Sequence, residues 1–425
     1  MAPAPIKALL RLATIDLAPL RRRDFSLLFV GQLVSFLGSQ VTFVAVAFQV
    51  YQLTGSSLAV GLLGLFELGP VLGFAFLGGA LADARDRRLM VLLTELAFTL
   101  ASGALLVNAL LPHPALWLVY AVAAVQAGLF ALQRPSLDSL LPRLVPPEEL
   151  TSAGALAMLR GSVGMVAGPA LGGVLIATAG LPATYGLDLA SFAASLVALA
   201  LMRATPPPLD AERPSLRRVV EGLRYARSRP DLLGTYVVDL IAMFFGMPQA
   251  LFPAIAAGLG GPGVLGLLYA APAAGAMLAM ATSGWTSHVH RQGWGVILAA
   301  TAWGVAITVF GFAASLPLAL LCLLVAGAGD GVSGIFRTAI WNRTIPDSLR
   351  GRLASIELLS YSTGPLLGNV ESGVVAATFS VRVSVVSGGL LCVAGCLACA
   401  LLLPGFRAFD LRRWTPESGG AISSS

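Results

Sequence analysis

Four ionisable residues stand deep inside long apolar runs of this chain: Glu67, Arg160, Asp239 and Asp330. Glu95, Asp188 and Glu371 lie nearer the ends of such runs, and Glu357 follows Arg160 by 197 residues in a related one. A charge at the centre of a bilayer costs about 2.5–3.5 kcal/mol on insertion scales, so each is a candidate for a role that no apolar residue could fill. A carboxylate in such a place can take up and release a proton. An arginine can hold an anionic ligand or neutralise a carboxylate. The simpler alternative is structural pairing of the aspartates with Arg134, Arg160 or Arg337. The stretch "AMFFGMPQALF" at 242–252 offers aromatic and methionine side chains that could line a cavity for a large amphipathic ligand, or merely pack.

The elements that must position these groups follow from composition. Of 425 residues, 57% are hydrophobic and 11% charged, and the mean hydropathy is +0.84. That excludes an ordinary soluble domain. About 20 apolar residues cross a bilayer core. Twelve runs qualify: 25–51, 58–82, 90–111, 115–137, 151–179, 182–203, 232–257, 263–285, 293–314, 317–342, 352–378 and 382–403. They do not alternate as barrel strands do, and lipid offers no partner for open backbone groups, so helices are expected. Of the 27 basic residues, 25 fall in segments on one side of the spans, and only Arg160 and Arg382 fall elsewhere. This asymmetry places both termini in the cytoplasm. It also explains the net charge of +6 without nucleic acid. The first run follows Arg21-Arg22-Arg23 and is too long for a signal-peptide core, so it reads as a retained span.

Other chemistry finds little support. Lys7 is the sole lysine and follows Ile6, so there is no Gly-Lys pair for a nucleotide-binding loop. Cys322, Cys392, Cys396 and Cys399 lie in apolar spans and read as packing residues, and "HVH" at 288–290 reads as a solvated turn. No enzyme activity, cofactor or metal is expected.

The chain repeats itself. "GPALG" at 168–172 recurs as "GPLLG" at 364–368, an offset of 196. "PPEEL" resembles "IPDSL" at an offset of 199, and "VGLLGL" from Val60 resembles "LGLLYA" from Leu265 at 205. The expected organisation is an all-α membrane protein with 12 transmembrane helices in two pseudo-symmetric six-helix bundles. The N-terminal bundle takes 1–203, and the C-terminal bundle with its cytoplasmic tail takes 232–425. Between them, 204–231 opens with Pro206-Pro207-Pro208 and continues "SLRRVVEGLRYARS", the pattern of a cytoplasmic linker with an amphipathic helix.

Two motifs carry a family resemblance. "GALADARDRRLMV", with Gly79, Leu81, Asp83, Arg87 and Arg88, resembles the loop signature of the major facilitator superfamily, although Asp86 stands where the family has glycine. "GMVAGPALGG", with Gly164, Gly168, Pro169, Gly172 and Gly173, resembles the antiporter motif of its exporters. The resemblance implies the major facilitator fold. It implies a gating latch in which Asp138 meets the loop arginine, and a pliable face between the halves; Asp86, a departure from the family pattern, adds a negative charge beside Arg87 that could offer it a rival partner and weaken the latch. Plain membrane anchoring and small-residue packing are the simpler alternatives. Spans one, four, seven and ten line the cavity in this superfamily, which makes Asp239 and Asp330 the preferred cavity carboxylates. Drug exporters often carry an arginine three residues before a span-four glutamine, but here Ala123 holds that place before Gln126.

Three longer stretches narrow the resemblance to the bacterial enterobactin/siderophore exporter branch. They are "RDFSLLFVGQLVSFLGSQVT", "YVVDLIAMFFGMPQALFP" and "GAGDGVSGIFRTAIWNRTIPDSLRGRLASIELLSYSTGPLLGN". The resemblance implies an inner-membrane secondary transporter that exports a small organic molecule by proton-coupled alternating access. A siderophore is the leading substrate, with a multidrug or macrolide efflux pump as one alternative and a transport-inactive sensor or scaffold as another. Asp239 and Asp330 would carry protons, and Arg160 would meet an anionic substrate or a carboxylate. The expected partners are substrate, protons and the lipid bilayer, with the protein acting as a monomer.

Overall fold

The computed structural model describes residues 16–84, 86–203, 229–345 and 347–410; the side chains of 75–84, 230–231 and 347–361 are outside the description. The described regular structure is helical. Helices α1 (Arg23–Thr54), α2 (Ser57–Ala84), α3 (Arg87–Leu110) and α4 (Leu116–Leu140) follow in short-looped succession. The run Leu150–Ala200 is broken at Gly180, whose φ of 78° and ψ of 176° are not helical. Glycine adopts that conformation without strain, and Pro182 restarts the chain in the other direction, giving α5 (150–179) and α6 (181–200). The second half holds α7 (Pro230–Phe245), α8 (Phe252–Leu259), α9 (Pro262–Ala281), α10 (Gln292–Phe310), α11 (Leu316–Thr344), α12 (Asp347–Thr378) and α13 (Val381–Leu402). Gly246 and Pro248 interrupt the seventh span, so α7 and α8 are its two parts, joined through the turn Gln249–Leu251. Taken so, the helices are consistent with the twelve expected spans. The expected linker lies outside the described residues except for 229–231, as does the tail beyond 410.

Apolar side chains such as Leu100, Leu110, Trp117, Leu298 and Leu401 remain exposed, as they must where lipid is the solvent. Polar groups buried inside the first half tie its helices together. Gln32 on α1 and Gln133 on α4 both donate to Glu95 on α3, at 2.6 and 3.2 Å. Ser102 on α3 donates to Asp188 on α6 at 2.6 Å. One oxygen of each carboxylate is thereby held in a cross-link between helices.

The halves meet through α2 against α12 and through α5 against α9. Both crossings are made by glycine. A methyl group added to Gly61 would strike the Asn369 carbonyl, and one added to Gly266 would strike the Pro169 carbonyl. A methyl group on Gly173 would lie 2.8 Å from the Gly266 backbone. Gly61 and Gly266 are the equivalent residues of one repeated motif, at the offset of 205, while Gly173 and Asn369 are equivalent in the other, at 196. The repeated motifs are thus the two sides of one contact, built twice. Both crossings lie toward the end of the bundle away from the termini, near the turn at 55–56 and the break at Gly180.

Candidate functional site

The strongest electrostatic feature joins α7 to α11. Asp239 and Arg337 are in direct ionic contact, and the same guanidinium reaches Asp330 at 3.5 Å. One turn away on each helix, Trp341 Nε1 donates to Thr235 Oγ1 at 2.9 Å, and Tyr236 stacks on Trp341 at 5.6 Å. The spacings 235/239 and 337/341 put these partners on matching faces. The two aspartates differ in setting. The Asp239 side chain is 7% exposed and that of Asp330 is 39% exposed. Asp239 is the buried counter-charge of Arg337, whereas Asp330 faces the cavity. Of the two, Asp330 is among the described residues that line the cavity and Asp239 is not. The positive-inside reading sets Arg337 among the cytoplasmic cations, but it stands inside α11 at the centre of this cluster.

Between the halves, the described residues line two adjoining compartments of a cavity. One, of about 460 Å³, takes part of its wall from Met243, Met247, Gln249, Phe252, Tyr269 and Asp330. Four of these come from the 242–252 stretch. The other, of about 360 Å³, lies mostly within the first half and includes Glu67 and Gln126. Gln40 and Phe43 on α1 border both. Toward the end away from the termini, Phe43 meets Tyr269 edge-on at 5.2 Å across the halves. Tyr269 is itself held by a 3.0 Å hydrogen bond to the Gln249 carbonyl. Beyond this contact a chamber of about 40 Å³ is lined by Glu67, Gln249 and Asn369 among others. The Asn369 side chain accepts from the Ala250 amide at 3.0 Å, pinning the break in the seventh span to α12.

The remaining expected residues are placed as follows. Arg160 on α5 is half-buried and lines neither main compartment, and its Nε has no hydrogen-bond partner among the described residues. Gly164, Gly168 and Gly172 face α1, against Phe36, Gln40 and Val41, so only Gly173 and the Pro169 carbonyl of that motif meet the other half. In the charged loop, Asp86 caps α3, accepting from the amides of Arg88 and Leu89 at 2.9 and 3.4 Å. Arg87 donates to the Ser139 carbonyl at 3.1 Å, and Arg88 to the Leu199 and Ala200 carbonyls at 2.9 and 2.7 Å. The two arginines thus satisfy open carbonyls at the ends of α4 and α6. Asp138 is exposed and pairs with Arg134 at 3.8 Å. The Gly79, Asp83 and Glu357 side chains lie outside the described residues.

Sequence reasoning missed Gln40, Tyr269 and the paired glycine crossings. The signal for the crossings was present, since the repeats that revealed two halves are the contact residues themselves.

Two repeat-related helical halves that cross through small residues and enclose a central charged cavity define a major facilitator transporter. The chain belongs to the transmembrane secretion effector family, whose profile matches residues 14–418. It is 30% identical over 399 residues to the enterobactin exporter EntS of Citrobacter koseri, covering 93% of this chain and 95% of that protein. It is 28% identical to the enterobactin exporter EntS of Escherichia coli O1:K1, over 94% and 96%. A POT family transporter crystallised with 5-aminolevulinic acid superposes with a TM-score of 0.73 at 12% identity, covering 91% of this chain and 97% of that one. A bacterial homologue of the iron transporter ferroportin, in an inward-facing state, gives 0.66 at 18% identity over 91% and 99%. These structures share the fold.

Proposed function

We propose that this protein exports a siderophore, of the catecholate class, across the bacterial inner membrane, driven by protons, with both termini cytoplasmic and the monomer as the working unit. The observation that carries this reading is the match to enterobactin exporters along nearly the full length of both chains. The cavity adds a chemical rationale. Its combination of methionine and aromatic wall with a few polar groups suits a large molecule of mixed polarity. Proton exchange is assigned to Asp330, which faces the cavity beside a guanidinium that can shift its weight to Asp239 when Asp330 is protonated. Asp239 keeps Arg337 neutralised throughout. Arg160 is assigned to an anionic part of the substrate or to a nearby carboxylate.

With the halves in contact at the end away from the termini, the chain is read as open toward the cytoplasm. Release to the outside then requires the Phe43–Tyr269 contact to part and the two glycine crossings to roll. The loop of Gly79, Asp83, Arg87 and Arg88 closes the opposite end, with Asp138 as a counter-charge. The test is a comparison of culture supernatants from a deletion strain and its complemented counterpart under iron limitation, by mass spectrometry. Loss of secreted catecholate in the deletion, restored by the gene, is expected. Equal secretion by both strains would overturn the substrate.

A further inference from the structure

The compartment in the first half has a different character from the one that holds Asp330. Asp330 shares a guanidinium with Asp239. Glu67, on α2, makes no hydrogen bond or ion pair with any described residue, and it is the sole ionisable side chain among the described lining of its compartment. Around it stand four phenylalanines from three helices: Phe36 and Phe43 on α1, Phe98 on α3 and Phe130 on α4. Phe98 is braced by parallel stacking on Phe192 at 4.9 Å.

A carboxylate in a low-dielectric recess attracts a cation strongly, and aromatic faces add to that attraction. An anion in the same recess would meet repulsion that no described lining residue compensates. The available volume, about 360 Å³, is that of a drug-sized pocket. We infer that this compartment is a binding site for lipophilic organic cations, with Glu67 as the counter-ion and the phenylalanines as the walls. The site shares Gln40 and Phe43 with the Asp330 compartment but its described lining includes none of Asp239, Arg337 and Asp330, and it does not depend on the siderophore reading, since it requires binding only.

The test uses radiolabelled tetraphenylphosphonium and the purified full-length protein in detergent, by equilibrium binding. Saturable binding is expected. Glu67→Gln is expected to weaken it about tenfold or more and Glu67→Asp to retain most of it. Labelled tetraphenylborate, the same shape with the opposite charge, is measured in a separate titration and is expected to show no saturable binding. That arm uses the unaltered protein, so it stands even where Glu67→Gln fails to fold. Equal affinity in Glu67→Gln, equal binding of tetraphenylborate, or no saturable binding of the cation to the unaltered protein would each overturn the proposal.

Discussion

Asp239 and Asp330 hold one guanidinium from two environments, and that difference predicts different phenotypes. Asp239→Ala strands a buried arginine with a single, partly exposed partner. Breaking such a pair costs about 3–5 kcal/mol, and the lower end applies because Asp330 remains at 3.5 Å. A clear fall in the thermal midpoint of the detergent-solubilised protein is expected. Asp330→Asn leaves Asp239–Arg337 intact, so stability should change little while coupling to protons is lost. Thermal unfolding of the two variants, side by side, separates these roles, and equal destabilisation would show that the asymmetry does not matter. The candidate acids were legible in the sequence because charges are rare in apolar runs. Which of them face the cavity was not legible. Exposure depends on helix rotation, and a helix whose apolar residues surround it gives no amphipathic stripe to fix that rotation. Glu95 and Asp188 illustrate the point, since only the neighbouring glutamines and serine reveal them as cross-links.

At the scale of elements, the helices are set by apolar length and their ends by specific residues. Asp86 is one such end. Removing its cap by Asp86→Ala should cost about 1 kcal/mol, with little effect on transport, whereas a latch partner of Arg87 would show the reverse. Thermal stability and flux of this variant together decide. The glycine crossings make a second prediction. Gly266→Val places bulk against the Pro169 carbonyl and Gly173, and should drive the halves apart at the end away from the termini. Ala47, 4% exposed beside the inner chamber, reports this. With the four native cysteines replaced, Ala47→Cys should react with an impermeant maleimide from that side at least several-fold faster in the Gly266→Val background. An unchanged rate would mean that the crossing does not hold this face shut. The span limits were readable to within a few residues, because bilayer thickness dictates them. The pairing of α2 with α12 and of α5 with α9 was hidden, since small residues mark close approach without naming the partner.

For the whole molecule, the pseudo-symmetry supports the proposed mechanism. Two equivalent crossings at one end give each half a hinge line, and a charged cavity between them can face either side as the halves rock. In the proposed mechanism the direction of transport is set by the proton gradient acting at Asp330, not by the fold. Everted membrane vesicles test this most directly, because their lumen corresponds to the cell exterior. With the lumen acidified, vesicles containing the unaltered protein are expected to accumulate an iron-free catecholate siderophore, to lose that accumulation with a protonophore, and to show none with Asp330→Asn. Accumulation that persists with the protonophore, or that Asp330→Asn leaves unchanged, would contradict proton-driven export through this cavity.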